Sequence, residues 1–312
     1  MEIGFGMRIK SLIWEYQKWS WGLTYKELHD ALPSDWEVMF VNFTSIKNQN
    51  KLIDSRNCDL IFCQNITQVS RIKNYKVPIV SRLGGVMNFE GVPMKQVNIY
   101  KEQMKKCGAI IATNYKLYNI AKSVNPNSYL IPNGIDLEKW VPSPTRKWNT
   151  EKPIIGFVGN ILTPAKISYK GYDLLRRACA QLKLQVFEAT YKTKQIPHNK
   201  MMKNFYYKID ILVHPTKGEG CSNTILEALA CGVPVITTRT AGFHGEMLED
   251  GKNVIFCDRT VTSIIKAIQQ FQNNPALYQK LSSEGREFAK KHHNIKIIAQ
   301  KYKKIFERVL SN

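Results

Sequence analysis

The feature that most constrains this chain is a repeated alternation: a short apolar run, a turn, then a stretch of helical period. In the first half, runs at 3–8, 37–43, 59–64, 77–82, 109–113 and 128–131 read as strands, with helical stretches at 24–32 and 115–124. Strands this short and this apolar are buried on both faces, as in a parallel sheet covered by helices. Between Trp140 and Pro153 the pattern breaks into a proline-containing segment without apolar period, which reads as a linker. The alternation then restarts, with strands at 154–158, 184–188, 209–214 and 233–237 and helices at 172–182, 200–207 and 223–230. Helices at 261–271 and 276–292 and a last one ending near Val309 close the chain. The expected fold is α/β, with two Rossmann-like domains facing a cleft. Residues 1–140 form the first domain, 141–153 the linker and 154–312 the second, whose last helix is free to pack back on the first. Ligands of such sheets bind beyond the carboxyl ends of the strands.

Composition narrows the class. A chain of 312 residues is long enough for two cores, and 44% hydrophobic with 22% charged residues is globular rather than disordered. No apolar run approaches the roughly 18 residues of a membrane-spanning helix. The start, Met1-Glu2-Ile3-Gly4-Phe5-Gly6, lacks the charged-then-apolar pattern of a signal peptide, so a cytoplasmic protein, with peripheral membrane contact left open, is expected. The formal net charge of +20 favours anionic partners: nucleotides, nucleic acid or an anionic membrane face. The basic excess in 280–308 is either a solvated helix face or an anion-binding surface. Seven cysteines without a C-x-x-C pair read as reduced, buried thiols. His214 and Cys221 have no second close pair of ligands, so no metal site is expected.

The richest stretch runs from His214 to Ile236, HPTKGEGCSNTILEALACGVPVI. A strand ends at His214, a glycine-flanked loop follows, and a helix begins near Ser222, a good N-cap, with Gly232 and Pro234 as its stop. The helix start, around Asn223 and Thr224, makes a ready anion site. Glu219 lies between Gly218 and Gly220, where backbone can approach a ligand closely, and Glu227 shares a helix face with Asn223. Two glutamates eight apart are commonplace by themselves, and solvated side chains are the plain alternative for both. The strand, glycine loop, helix and Gly-x-Pro strand around them favour a binding site.

This stretch resembles the donor-site signature of the family-4 retaining glycosyltransferases, which have the GT-B architecture. Further matches are Leu130-Ile131-Pro132-Asn133-Gly134-Ile135-Asp136, Ile155-Gly156-Phe157-Val158-Gly159 followed by Lys170-Gly171-Tyr172-Asp173, and Gly242 with Glu246. The match covers the second half well and the first half thinly. The resemblance implies a hexosyltransferase that takes a nucleoside-diphosphate sugar as co-substrate, needs no cofactor and transfers with retention. No Asp-x-Asp triplet is present, so the resemblance implies metal-independent chemistry in which fixed cations and amides meet the diphosphate. Lys170 matches the family's phosphate lysine, assisted by amides of Ser222, Asn223 and Thr224. Glu227 would accept hydrogen bonds from the ribose hydroxyls. Glu219 would hold hexose hydroxyls and steady positive charge at the anomeric carbon. Gly159, Gly220 and Cys221 complete the implied donor set.

Several positions depart from the family pattern. Its usual arginine after the Phe-Val-Gly strand is Asn160 here, which removes a bidentate phosphate donor. Lys166 is either its substitute or a surface lysine. Tyr191, Ile196 and Pro197 are candidates for the nucleobase pocket. Only one glycine, Gly22 after Trp21, stands where the family has a glycine-rich turn, and Val80-Ser81-Arg82-Leu83-Gly84-Gly85 carries no histidine. Arg82, beside Gly84, would meet a phosphate or an acidic acceptor, or is a solvated strand end. Trp14, Tyr16, Trp19 and Trp21, with Lys18 among them, either stack on an acceptor sugar or base or form a patch under a loop.

The expected acceptor is a saccharide or lipid-linked saccharide near an anionic membrane surface. The alternatives are hydroxymethylated bases in DNA, and a non-catalytic nucleic-acid or sugar-binding protein on a transferase scaffold. No obligate protein partner is implied.

Overall fold

The computed structural model describes residues 6–13, 20–42, 56–73, 75–85, 89, 91–145, 147, 149, 151–190, 196–239 and 247–311, without the side chains of residues 13, 20–23 and 42. The chain divides into two compact units, residues 1–134 with 295–312, and residues 135–294.

The first unit holds a sheet of β1 (Arg8–Ile13), β2 (Glu37–Asn42), β3 (Leu60–Cys63), β4 (Ile79–Leu83), β5 (Ala109–Ala112) and β6 (Ser128–Leu130). They lie in the order β2-β1-β3-β4-β5-β6, every pair parallel. Its helices are α1 (Ser20–Asp30), α2 (Met94–Lys105) and α3 (Tyr115–Lys122), joined by a 3₁₀ turn at Ile66–Arg71 and by α10 (Ile295–Leu310) from the end of the chain. β3, β4 and β5 are buried at every position, as strands covered on both faces must be. One core joins Ile9, Leu60 and Phe62 to Tyr25 and Leu28 of α1 and to Ile298, Tyr302 and Phe306 of α10. The other joins Leu12, Ile61 and Ile110 to Ile66, Val69, Met104 and Leu117.

The second unit holds β7 (Ile155–Gly159), β8 (Val186–Thr190), β9 (Ile211–His214), β10 (Val235–Thr237) and β11 (Ile255–Phe256), again all parallel, in the order β11-β10-β9-β7-β8. α4 (Pro164–Lys170), α5 (Tyr172–Leu182), α6 (His198–Asn204), α7 (Asn223–Ala230), α8 (Val261–Asn273) and α9 (Pro275–His293) surround it. One core gathers Leu212, Phe205, Tyr206, Ile225 and Leu229, and the other Phe157, Leu175, Val213, Ile264 and Leu281. In both units the first strand in sequence lies inside and the second outside it, so the strand order reverses at β1/β3 and at β7/β9. No helix among the described residues is long and apolar enough to cross a membrane.

Several features differ from the sequence reading, and three bear on the argument. The first described strand runs over Arg8–Ile13 with residues 6 and 7 outside it, while residues 3–5 of the expected run fall outside the described residues, and its charged residues have partners at the margin. Arg8 pairs with Asp59 at 2.9 Å, and Lys10 Nζ donates to the Arg56 carbonyl at 3.0 Å. α2 fills a stretch for which the sequence names no element. It is rich in Lys, Gln and Asn, and only Gln103 and Met104 are buried. The proline-containing segment is attached at its start to the second unit. Trp140 is 2% exposed, Arg286 donates to its carbonyl at 3.0 Å, and Tyr207 donates to the Val141 carbonyl at 3.1 Å.

Candidate functional site

The second unit places its chemistry at the carboxyl ends of β7 and β9, the neighbours between which strand order reverses. Open α/β sheets leave a crevice there because the connections on either side diverge. β7 ends at Gly159 and β9 at His214.

α4 follows β7. Thr163 caps it by accepting from the Lys166 amide, and Pro164 suits the first turn, where no amide partner is needed. It ends at Gly171, whose φ of 67° is left-handed and ends the helix with Lys170 as its last residue. Three links bind this turn to the loop after β9. The Lys217 amide donates to the Tyr169 carbonyl at 2.8 Å. Arg259 donates to the Pro215 carbonyl at 3.0 Å and also to the Ser168 carbonyl. A Cβ at Gly171 would lie 2.4 Å from the Pro215 carbonyl oxygen, so only glycine lets the two segments approach.

This apposition brings Lys170 Nζ onto Glu219 Oε1, and His214 Nε2 lies 3.2 Å from the same oxygen. Burial would raise the Glu219 carboxyl, but the Lys170 charge and the His214 hydrogen bond outweigh it and hold the group at about 2. Burial lowers the His214 pKa, against the pull of Glu219, so the ring is neutral at pH 7 and donates from Nε2. The end of α4 and the loop after β9 therefore set the Lys170 cation beside the Glu219 anion.

α7 follows the loop. Ser222 Oγ accepts from the Ile225 amide, and an α-helix presents its first amides at this end. Gly220, Cys221 and Ser222 are buried, and Asn223 and Thr224 are partly exposed on the first turn. One turn further, Glu227 is 5% exposed, and its carboxylate does not sit in water. Tyr206 donates to Oε2 at 2.7 Å, and His198 Nε2 lies 2.8 Å from Oε1.

The remaining predicted positions vary. Gly159 ends β7 beside the Lys170 stem, which a Cβ there would meet at 3.7 Å. Asn160 turns into its own loop, its Oδ1 accepting from the Leu162 amide at 3.2 Å. Lys166 is exposed on α4, not in a loop. Ile196 packs against the core around Tyr206, and Pro197 precedes α6. In the first unit, Arg82 is 7% exposed, which removes the solvated strand-end reading. Its guanidinium lies over the Tyr25 ring at 5.2 Å and donates to Asn133 Oδ1, and Gly84 leaves room for it. Trp21 and Gly22 lie on α1, but their surroundings, and Trp14, Tyr16, Trp19, Tyr191, Gly242 and Glu246 altogether, fall outside the described residues. The sequence reading did not name His198, Tyr206 or Arg259. Their pairing with Glu227 and with the 215 loop depends on contacts 21 to 44 residues apart in sequence.

Two parallel-sheet α/β units with this strand order define the fold of the GT-B glycosyltransferases. Residues 184–288 match the family model described as Glycosyl transferases group 1. An uncharacterized glycosyltransferase of Methanocaldococcus jannaschii is 36% identical over 89 residues, 28% of this chain and 25% of that protein. The capsular polysaccharide biosynthesis glycosyltransferase CapM of Staphylococcus aureus is 24% identical over 203 residues, 57% of this chain and 53% of that one. The matched segments thus span a quarter to about half of these relatives. Among solved structures, Anabaena HepE in complex with UDP and glucose superposes with a TM-score of 0.74 at 15% identity, covering 96% of this chain and 99% of that one.

Proposed function

We propose that this protein is a retaining, metal-independent hexosyltransferase that moves a sugar from a nucleoside diphosphate to the hydroxyl of a saccharide or lipid-linked saccharide. The observation that carries the reading is the contact of Lys170 with Glu219 at the carboxyl ends of the reversing strands, just before the start of α7. Departure of a nucleoside diphosphate builds negative charge on its outer phosphate. A lysine and helix amides fixed before reaction stabilise that charge without reorganising. Glu219, ionised throughout the physiological range, is placed to hold hexose hydroxyls and to balance positive charge at the anomeric carbon. Glu227, on α7, takes the ribose hydroxyls. Lys170 and the amides of Ser222, Asn223 and Thr224 supply the counter-charge in place of a metal, with Lys166 of α4 as a further cation where the family's arginine is replaced by Asn160. Gly22 belongs to the donor side of the reading, and Arg82 and Gly84, with Trp14, Tyr16, Trp19 and Trp21, belong to the acceptor side. HepE, crystallised with UDP and glucose, supports a nucleotide-sugar donor, and the capsular polysaccharide enzyme supports a saccharide acceptor.

The test is release of nucleoside diphosphate from UDP-, GDP- and ADP-sugars, with a saccharide primer and EDTA present. Turnover under chelation with an unchanged anomeric configuration by NMR is expected. A strict magnesium requirement overturns metal independence, an inverted product overturns retention, and no release from any donor overturns the activity.

A further inference from the structure

We infer that Tyr206 and His198 are positioning residues that lock the Glu227 carboxylate with one free lone pair on each oxygen, making this site select ribose over 2′-deoxyribose. The inference rests on the reading that Glu227 meets the donor ribose.

An ionised carboxylate is an acceptor only, with about two lone-pair directions on each oxygen. At Glu227 one direction on each is already taken, by Tyr206 at 2.7 Å on Oε2 and by the His198 ring at 2.8 Å on Oε1. Both donors are themselves fixed. Tyr206 is fully buried, and burial together with the Glu227 charge pushes its phenol well above its ordinary value, so it keeps its proton and donates. The Thr224 carbonyl is a second acceptor for that proton but lies farther off, at 3.3 Å. Trp140, 2% exposed, packs edge-on against both rings, at 5.2 Å from His198 and 5.7 Å from Tyr206. Facing a carboxylate, His198 Nε2 carries the proton in either of its protonated forms.

Two consequences follow for the ligand. A carboxyl group buried this deeply is costly without hydrogen-bond donors, and these two supply them. The lone pairs that remain, one on each oxygen, match a vicinal diol such as the 2′- and 3′-hydroxyls of ribose, and a 2′-deoxy sugar leaves one of them unfilled. A site built around a substrate hydroxyl rejects the analogue that lacks it, because the buried acceptor is then stranded.

The experiment is calorimetric titration of whichever of UDP, GDP and ADP binds tightest, against its 2′-deoxy counterpart. It is run on the wild type and on Tyr206→Phe, His198→Ala, His198→Gln and Glu227→Gln, each checked for folding by circular dichroism. The wild type is expected to prefer the ribonucleotide by about ten-fold or more, the scale of one hydrogen bond to a charged group. Tyr206→Phe and His198→Ala are expected to lose most of that preference while binding the deoxynucleotide as before. His198→Gln, which keeps a donor at the Nε2 position, restores it. Retained preference in folded Tyr206→Phe and His198→Ala, with Glu227→Gln losing it, overturns the positioning role and leaves the Glu227 reading standing. No preference in the wild type, or no nucleotide bound at all, overturns the Glu227 reading and this inference with it.

Discussion

His214 Nε2 lies 3.2 Å from Glu219 Oε1, the oxygen that also meets Lys170 Nζ. The carboxyl is thereby held at about 2, below its ordinary 4.5. As pH falls, the unfolded chain takes up this proton before the folded one does. The stabilisation is therefore complete above about 4.5 and is lost progressively toward 2. Urea unfolding between pH 5 and 3 is expected to show a shallower loss of stability in Glu219→Gln than in the wild type, by up to about 1.4 kcal/mol per pH unit. Equal slopes would remove Glu219 from the acid-sensitive set.

Lys170→Ala removes the cation that meets the half-buried Glu219 carboxylate. Nucleoside diphosphate affinity is expected to fall by about ten-fold or more, the scale of a charge-assisted contact to phosphate. Lys166→Ala, on the exposed face of the same short helix, is expected to have a smaller effect. Calorimetry on both variants ranks the two lysines, and a larger loss at Lys166 would reverse their roles.

Gly171 has left-handed backbone, and its Cα faces the Pro215 carbonyl. Gly171→Ala adds a Cβ where none fits, so the segment carrying Lys170 must separate from the loop carrying Glu219. A loss of roughly 1–3 kcal/mol in stability is expected, with weakened donor binding. A variant with wild-type stability and affinity would contradict the close approach.

Trp140 precedes the proline-containing segment yet is buried against His198 and Tyr206. Trp140→Ala is expected to destabilise the second unit by about 3–5 kcal/mol, as for other large aromatic deletions in a packed core. If the segment were a free linker from Trp140 onward, the melting temperature would not move.

His29 in the first unit is 6% exposed, with Nε2 3.0 Å from Ser11 Oγ and its ring edge-on to Phe40 and Phe62. Burial lowers its pKa to about 3. Below about 6.5 the unfolded chain binds a proton that the folded chain refuses, so stability is full above that pH and declines by about 1.4 kcal/mol per unit beneath it. Urea midpoints at pH 7 and 5 are expected to differ less in His29→Gln than in the wild type. The interval from pH 7 to 5 lies above the onset of the Glu219 effect, so the two are told apart there, whereas below about 4.5 both contribute.

The elements that the sequence marks most clearly are those whose signals are local. α7 covers Asn223–Ala230 as its periodicity predicts, because Ser222 caps one end and Gly232, in left-handed backbone, stops the other. The parallel sheets were legible from β-strands too short and too apolar to have a wet face. The extension of β1 beyond Arg8 was not legible because Arg8 and Lys10 look like strand ends until Asp59 and the Arg56 carbonyl are seen beside them. α2 was missed because a helix that buries little has little apolar period to read.

What the sequence by itself determined was the alternating order of strands and helices and the positions of Glu219 on a loop and Glu227 on a helix, since these follow from propensity, capping and spacing along the chain, whereas Lys170 was marked by the family resemblance. The tertiary structure decided which groups those side chains meet. Arg259 and Gly171 bring Lys170 to Glu219, Tyr206 and His198 close on Glu227, and α10 joins the first unit although it ends the chain. The physical reason is that hydrogen bonds and ion pairs act over a few ångströms in space, and proximity between residues tens of positions apart exists only once the cores have packed.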